Sequence, residues 1–152
     1  MVNWSSIGIR FCRVAKSSSR VAKDPTAPNL RQVHLMHSEL FEELAGQGYI
    51  VKPGDLGENI TTKDLNVLNV PEGTVLKIGP EAVVQVTGLR NPCSQIEAFQ
   101  EGLLGKCLVR SEGRFTRKAG IMSVVVTGGI IQPNDPIEII LPEGEHKRLQ
   151  VV

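Results

Sequence analysis

The chain has 152 residues, 41% apolar and 22% charged, which fits one compact domain with a real core and excludes global disorder and a fibrous repeat. Its 17 Lys plus Arg stand against 16 Asp plus Glu, so the basic excess that drives duplex binding is missing and nucleic acid is not the default partner. No apolar run nears the roughly 20 residues that cross a bilayer, and the opening MVNWSSIGIRFCRVAK lacks an apolar signal core, so no membrane span and a cytoplasmic location are expected.

Residues 1–23 read as a flexible basic arm: Arg10, Arg13, Lys16, Arg20 and Lys23 follow one another with no acid between them, around a run of three serines. From residue 24 to 152 the pattern is that of a folded domain. RQVHLM puts Val33 and Leu35 on one face and Gln32, His34 and Met36 on the other, predicting a half-buried strand. A helix follows, capped by Ser38, with Glu39, Glu42 and Glu43 at its positive end and Leu40, Phe41 and Leu44 as its buried stripe, stopped by Gly46 and Gly48. After the turn-rich KPGDLGENITTKD come short β-like runs, TVLKI, AVVQV, KCLVR, IMSVVV and IEII, each bounded by Gly, Pro, Asn or Asp. Only one further helical turn is expected, at SQIEAF. The fold class is therefore mainly β, a barrel or sandwich with one or two short helices.

Three segments hold candidate chemistry. In GLRNPCSQ, Pro92 fixes the backbone and Cys93 emerges where a short helix opens, with the Arg90 guanidinium in local reach; both features favour negative charge on sulfur, which suits a nucleophile or a soft-metal ligand, while the same spacing also fits a buried structural cysteine. In GDLGENIT, Gly54 and Gly57 permit close backbone approach and Asn59 offers amide donors and an acceptor, although the same turn also serves as a plain connection. In GRFTRKAG, Arg114, Arg117 and Lys118 precede a strand and suit a phosphate or carboxylate, or else solvated charge on a hairpin. Cys12, Cys93 and Cys107 form no CxxC pair and no disulfide framework. His34 and His37 straddle a strand end rather than one helical turn, which argues against a zinc pair, and His146 lies in a polar tail.

Taken in order, PNLRQVHLMHSELFEEL, PGDLGENITT, VTGLRNPCSQIEAF with EGLL behind it, and RKAGIMSVVVTGG resemble the MOSC domain, named for the C-terminal domain of molybdenum cofactor sulfurase. The likeness runs from about Asp24 to Ile140 and is closest in flavour to small stand-alone MOSC proteins, which are also similar to the domain in the mitochondrial amidoxime-reducing component. It implies a β-barrel-like fold and a single cysteine, here Cys93, that binds the molybdenum cofactor (molybdopterin) or carries sulfur destined for it. It further implies that Gly57, Glu58 and Asn59 line the same cleft and that Arg90 and Asn91 shape the cysteine turn. On that reading Arg90, Arg117 and Lys118 supply cations for the cofactor's terminal phosphate, while Cys12 and Cys107 match no family position.

The likeness implies either a molybdenum-dependent oxidoreductase acting on N-hydroxylated compounds or a sulfur transferase, with a non-catalytic cofactor carrier or docking module as the alternative. A reductase of this size needs a separate electron-transfer or molybdoenzyme partner. Pyridoxal phosphate belongs to the family only by association, through a desulfurase domain for which this chain has no room. The segment before Arg20 lacks the strand, glycine, aspartate and histidine motif with which family members usually begin. That departure predicts a barrel with a missing edge, and hence a chain that forms a homodimer, binds cofactor poorly or is marginally stable.

Overall fold

The computed structural model describes residues 8–9 and 28–152. Apart from the pair Gly8–Ile9, the basic arm, with Cys12, lies outside the described residues. In chain order the elements are strand β1 (Gly8–Ile9), β2 (Val33–His37), helix α1 (Glu39–Ala45), β3 (Ile60–Thr62), a 3-10 turn (Val67–Asn69), β4 (Val75–Ile78) and β5 (Ala82–Leu89). Then follow α2 (Ser94–Phe99), α3 (Leu103–Cys107), β6 (Leu108–Ser111), β7 (Arg114–Arg117), β8 (Ile121–Thr127) and β9 (Ile137–Ile140). Seven strands form one half-barrel sheet in the order β1-β3-β2-β8-β5-β4-β9, and β6 and β7 make a separate hairpin. Only β2 and β3 run parallel, with Leu35 opposite Ile60 and His37 opposite Thr62; the other neighbours are antiparallel. The mainly β, barrel-like expectation therefore holds.

Two apolar clusters flank the centre of the sheet. Val33 and Leu35 of β2 join Ile60, Val67, Leu76, Ile78, Val84, Val86 and Ile121 in one. Met36 joins Leu40, Phe41, Leu44, Leu56, Ile96, Leu103 and Cys107 in the other. The alternation in RQVHLM is thus real, but the expected exposure of its second face is not: all five residues of β2 are buried. The helices α1, α2 and α3, together with the Val51–Leu56 segment, cover that face, so a strand one layer deep on sequence grounds sits between two layers.

Other expectations shift in detail. Ser38 does not cap α1 with its hydroxyl; its carbonyl instead receives Phe41 N–H at 2.9 Å. In KCLVR, Lys106 and Cys107 close α3 and the strand starts at Leu108, because Leu103 and Cys107, four residues apart, reach the second cluster from one helical face. Among the described residues the helices therefore number three, where one or two were expected, with the 3-10 turn besides. Ile60–Thr62, inside what read as a long turn, is a strand held by parallel pairing to β2. The other side of this short strand pairs antiparallel with Gly8–Ile9, Gly8 opposite Thr61 and Ile9 opposite Ile60.

Candidate functional site

The end of β5 delivers the cysteine turn. Arg90 N–H donates to Gly120 O at 3.0 Å, which ties the strand end to the residue preceding β8. Pro92 is buried, and Cys93 stands at the head of α2 with its carbonyl receiving Ile96 N–H at 3.0 Å. The thiol is partly exposed; Arg90 Nη2 donates toward Sγ at 3.9 Å, and Sγ–H toward Gln95 Oε1 at 3.6 Å. Two residues away from the sulfur, Asn91 Oδ1 accepts Arg117 Nε–H at 3.1 Å, so the β7 hairpin closes on the same turn. The geometry brings Cys93, Arg90, Asn91 and Arg117 into one neighbourhood.

The Gly54–Asn59 turn is organised by Glu58. Its Oε1 accepts Gly54 N–H at 2.5 Å and Thr61 Oγ1–H at 3.1 Å, while Oε2 is buried without a partner among the described residues. Burial pushes this carboxyl above its usual range, partly offset by the hydrogen bonds it accepts. Gly57 adopts φ +82°, a conformation that disfavours any side chain. Asn59 is committed to the fold: Oδ1 accepts His34 N–H at 2.8 Å, and Asn59 N–H donates to His34 O at 2.8 Å. Lys118 likewise pairs with Glu43 of α1, Nζ to Oε1 at 2.6 Å, which takes it from the free cations that GRFTRKAG suggested.

His34 joins the two turns, and sequence reasoning passed over it. Its ring Nε2 lies 2.6 Å from Ala119 O, and it also meets the Gly57 backbone. Burial, with the charges of Arg90 and Arg31 nearby, lowers its pKa to about 4, so the ring is neutral at physiological pH and bonds without carrying charge. The available clue was its place on the polar face of a strand whose two faces both turn out to be packed. Gly120 completes the junction: at φ +82° its backbone passes so close to β2 that an added Cβ would lie 2.1 Å from Leu35 O. Cys107, by contrast, is fully buried in the second cluster, and desolvation pushes its thiol up to about 11, which fits a packing role.

A family model for the MOSC domain matches residues 23–138. The chain belongs to the MOSC domain family. Solved structures agree: YiiM from Geobacillus stearothermophilus superposes with TM-score 0.58 at 25% identity, covering 72% of this chain and 54% of that one. YiiM from Escherichia coli gives TM-score 0.58 at 21% identity over 77% of this chain and 58% of that one. The YuaD protein from Bacillus subtilis gives 0.59 at 22% over 82% and 74%, respectively. The chain thus spans just over half the length of the YiiM proteins it matches. No curated protein matches it. No helix among the described residues of this MOSC protein is long and apolar enough to cross a membrane.

Proposed function

We propose that this MOSC protein binds the molybdenum cofactor, with Cys93 as the thiolate ligand of the metal. The observation that carries the reading is the cysteine turn itself: one partly exposed sulfur with a guanidinium 3.9 Å away, on a backbone pinned by Pro92 and by the Arg90–Gly120 hydrogen bond. The donor set fits the group. A soft thiolate suits the metal, Arg117 beside Asn91 suits a phosphate, and the buried, unpartnered Glu58 Oε2 suits a pterin N–H. Gly57 leaves the approach to that turn free of side chain, while Asn59 and Lys118 act behind it, holding the loop to β2 and the β7–β8 junction to α1.

When bound, the cofactor supplies two-electron chemistry of the kind that removes oxygen from N-hydroxylated compounds. The chain's own residues do the holding. Arg90 keeps charge opposite the sulfur, Arg117 and Asn91 fix the turn, and neutral His34 keeps the Gly57 and Ala119 backbones in register without adding a positive charge. Electrons come from a separate partner protein on this reading. Sulfur carriage on Cys93 is the second reading, favoured by the thiol's exposure and by the absence of a disulfide partner among the described residues.

The test is molybdenum content, by mass spectrometry, of the chain purified from a cofactor-making host beside Cys93→Ser. Near-stoichiometric metal that disappears in the variant is expected. No metal in either protein, with the fold intact by circular dichroism, overturns the ligand assignment and leaves sulfur carriage or a docking module.

A further inference from the structure

Strand β9 forms one end of the seven-stranded sheet, and the alternation of an antiparallel ladder fixes which of its backbone groups are already bonded. Gly79 N–H donates to Pro136 O at 3.0 Å, which makes these two a hydrogen-bonded pair on the β4–β9 register. Two residues further along, Glu138 opposite Lys77 and then Ile140 opposite Val75 face β4 in the same way. Ile137 and Ile139 therefore turn their N–H and C=O groups away from β4, where no described residue pairs with them. A cleft of about 1090 Å³ borders Ile137, Ile139 and Leu141 on this side. Pro136 and Pro142 bracket the segment, each three positions from Ile139. By the same alternation both prolines belong to the set facing β4, so the N–H groups that they lack are not missing from the open edge. One face of the strand carries Ile140, 39% exposed, beside the Lys77–Glu138 pair, Nζ to Oε2 at 3.3 Å; Leu141, 51% exposed, lies on the other.

We propose that β9 pairs antiparallel with β9 of a second copy of this chain, about a two-fold axis through Ile139, joining two sheets into one. An unpaired strand edge is a template for another strand, and a two-fold contact needs a surface complementary to itself. This register meets that need. Ile139 faces its own copy and Ile137 faces the partner's Leu141, all at hydrogen-bonding positions, while the prolines fall opposite each other where the ladder makes no bond. Glu138, already paired with Lys77, falls opposite the partner's Ile140. An axis one residue earlier would instead set two Glu138 carboxylates against each other, which disfavours it. The symmetry of the proline-bounded window and its placement of charge select a second copy as the occupant. With only a few strand residues in contact, the dimer is weak and concentration-dependent. It rests on no feature of the cysteine turn.

Sedimentation velocity of the full chain tests this, over a roughly hundredfold range of concentration and with a thiol reductant present so that no cysteine bridge forms. A monomer–dimer equilibrium is expected. Ile140→Glu sets like charges opposite each other at two places in the dimer, and Ile140→Lys sets opposite charges there, so the glutamate variant should dimerise about tenfold or more weakly than the lysine variant. Both remove the same exposed apolar side chain, so lost packing is common to the two, and circular dichroism should show both folded. Amide hydrogen exchange gives a second readout: the Ile139 N–H should exchange more slowly as the parent is concentrated, and should not do so in Ile140→Glu. A monomer at every concentration, equal dimerisation of the two variants, or an Ile139 N–H indifferent to concentration overturns the proposal.

Discussion

Replacing Gly120 by alanine puts the junction of the two site turns under direct strain. The residue sits at φ +82°, where an L side chain costs about 1–2 kcal/mol. The new methyl would lie 2.1 Å from Leu35 O and 2.7 Å from Met36 Cγ, so β2 must move in a region where every residue is packed on both faces. Overpacking of this kind adds about 1–3 kcal/mol, for a total near 3 kcal/mol and a fall in Tm of roughly 6–12 °C in a domain of this size. The shift also reaches the site, because Ala119 O meets His34 and Gly120 O receives Arg90 N–H. Thermal unfolding followed by circular dichroism measures the cost, with Gly105→Ala as the control. Gly105 lies inside α3 with nothing within 4 Å of an added Cβ, so alanine there should stabilise by about 0.5–1 kcal/mol. A Gly120→Ala protein melting within 2–3 °C of the parent, on the same scale of roughly 2–4 °C per kcal/mol, would refute the close-approach argument.

Acid should destabilise the fold through His34. Its native pKa of about 4 lies below the ordinary 6.5, so between those values the unfolded chain takes up a proton that the native chain refuses; the contribution is whole above pH 6.5, falls toward pH 4, and is worth at most about 3 kcal/mol. Glu58 acts in the opposite sense, since its raised pKa makes its stabilising contribution one that is present at low pH and lost as pH rises. Urea unfolding at pH 4.5 and 7 should show a smaller pH difference for His34→Gln than for the parent; an unchanged difference rules His34 out as the source. Lys118→Met should cost no more than about 1 kcal/mol, because both ends of the Lys118–Glu43 pair are partly solvated, and a loss of several kcal/mol in chemical denaturation would show that the pair does more. In a Cys12→Ser background, a disulfide-exchange reagent should label one thiol rapidly, and Cys93→Ser should abolish that labelling. Cys107, buried and with its thiol at about 11, should react only on unfolding, so rapid labelling of two thiols contradicts its placement.

Much of the site was legible because its parts are local. Arg90 and Cys93 are three residues apart, so spacing alone put them in reach of each other; Glu58 came only with the family resemblance, and its contacts to Gly54 and Thr61, though they stay within one turn, were not read from the sequence. What linked those turns was not local. His34 reaches Ala119 across 85 positions and Arg117 reaches Asn91 across 26, and no window of sequence contains both ends of either bond. Lys118 shows the same limit from the other side: beside Arg117 in the chain, it turns to Glu43, 75 positions away, because β7 ends between them and the chain turns to α1.

By itself the sequence determined the β-rich class, the positions of β4, β5, β8 and β9, helix α1 and the cysteine turn. Each of these is set by a short-range cause, alternation, a helical stripe or a Gly- and Pro-bounded turn. Only the tertiary structure decided that β2 is buried on both faces, that Ile60–Thr62 is a strand, and that Lys118 pairs with Glu43. A three-residue strand has too little pattern of its own to be read and exists through the partner it pairs with. Burial of a polar face, and the company a charge keeps, depend in the same way on what the rest of the chain brings alongside.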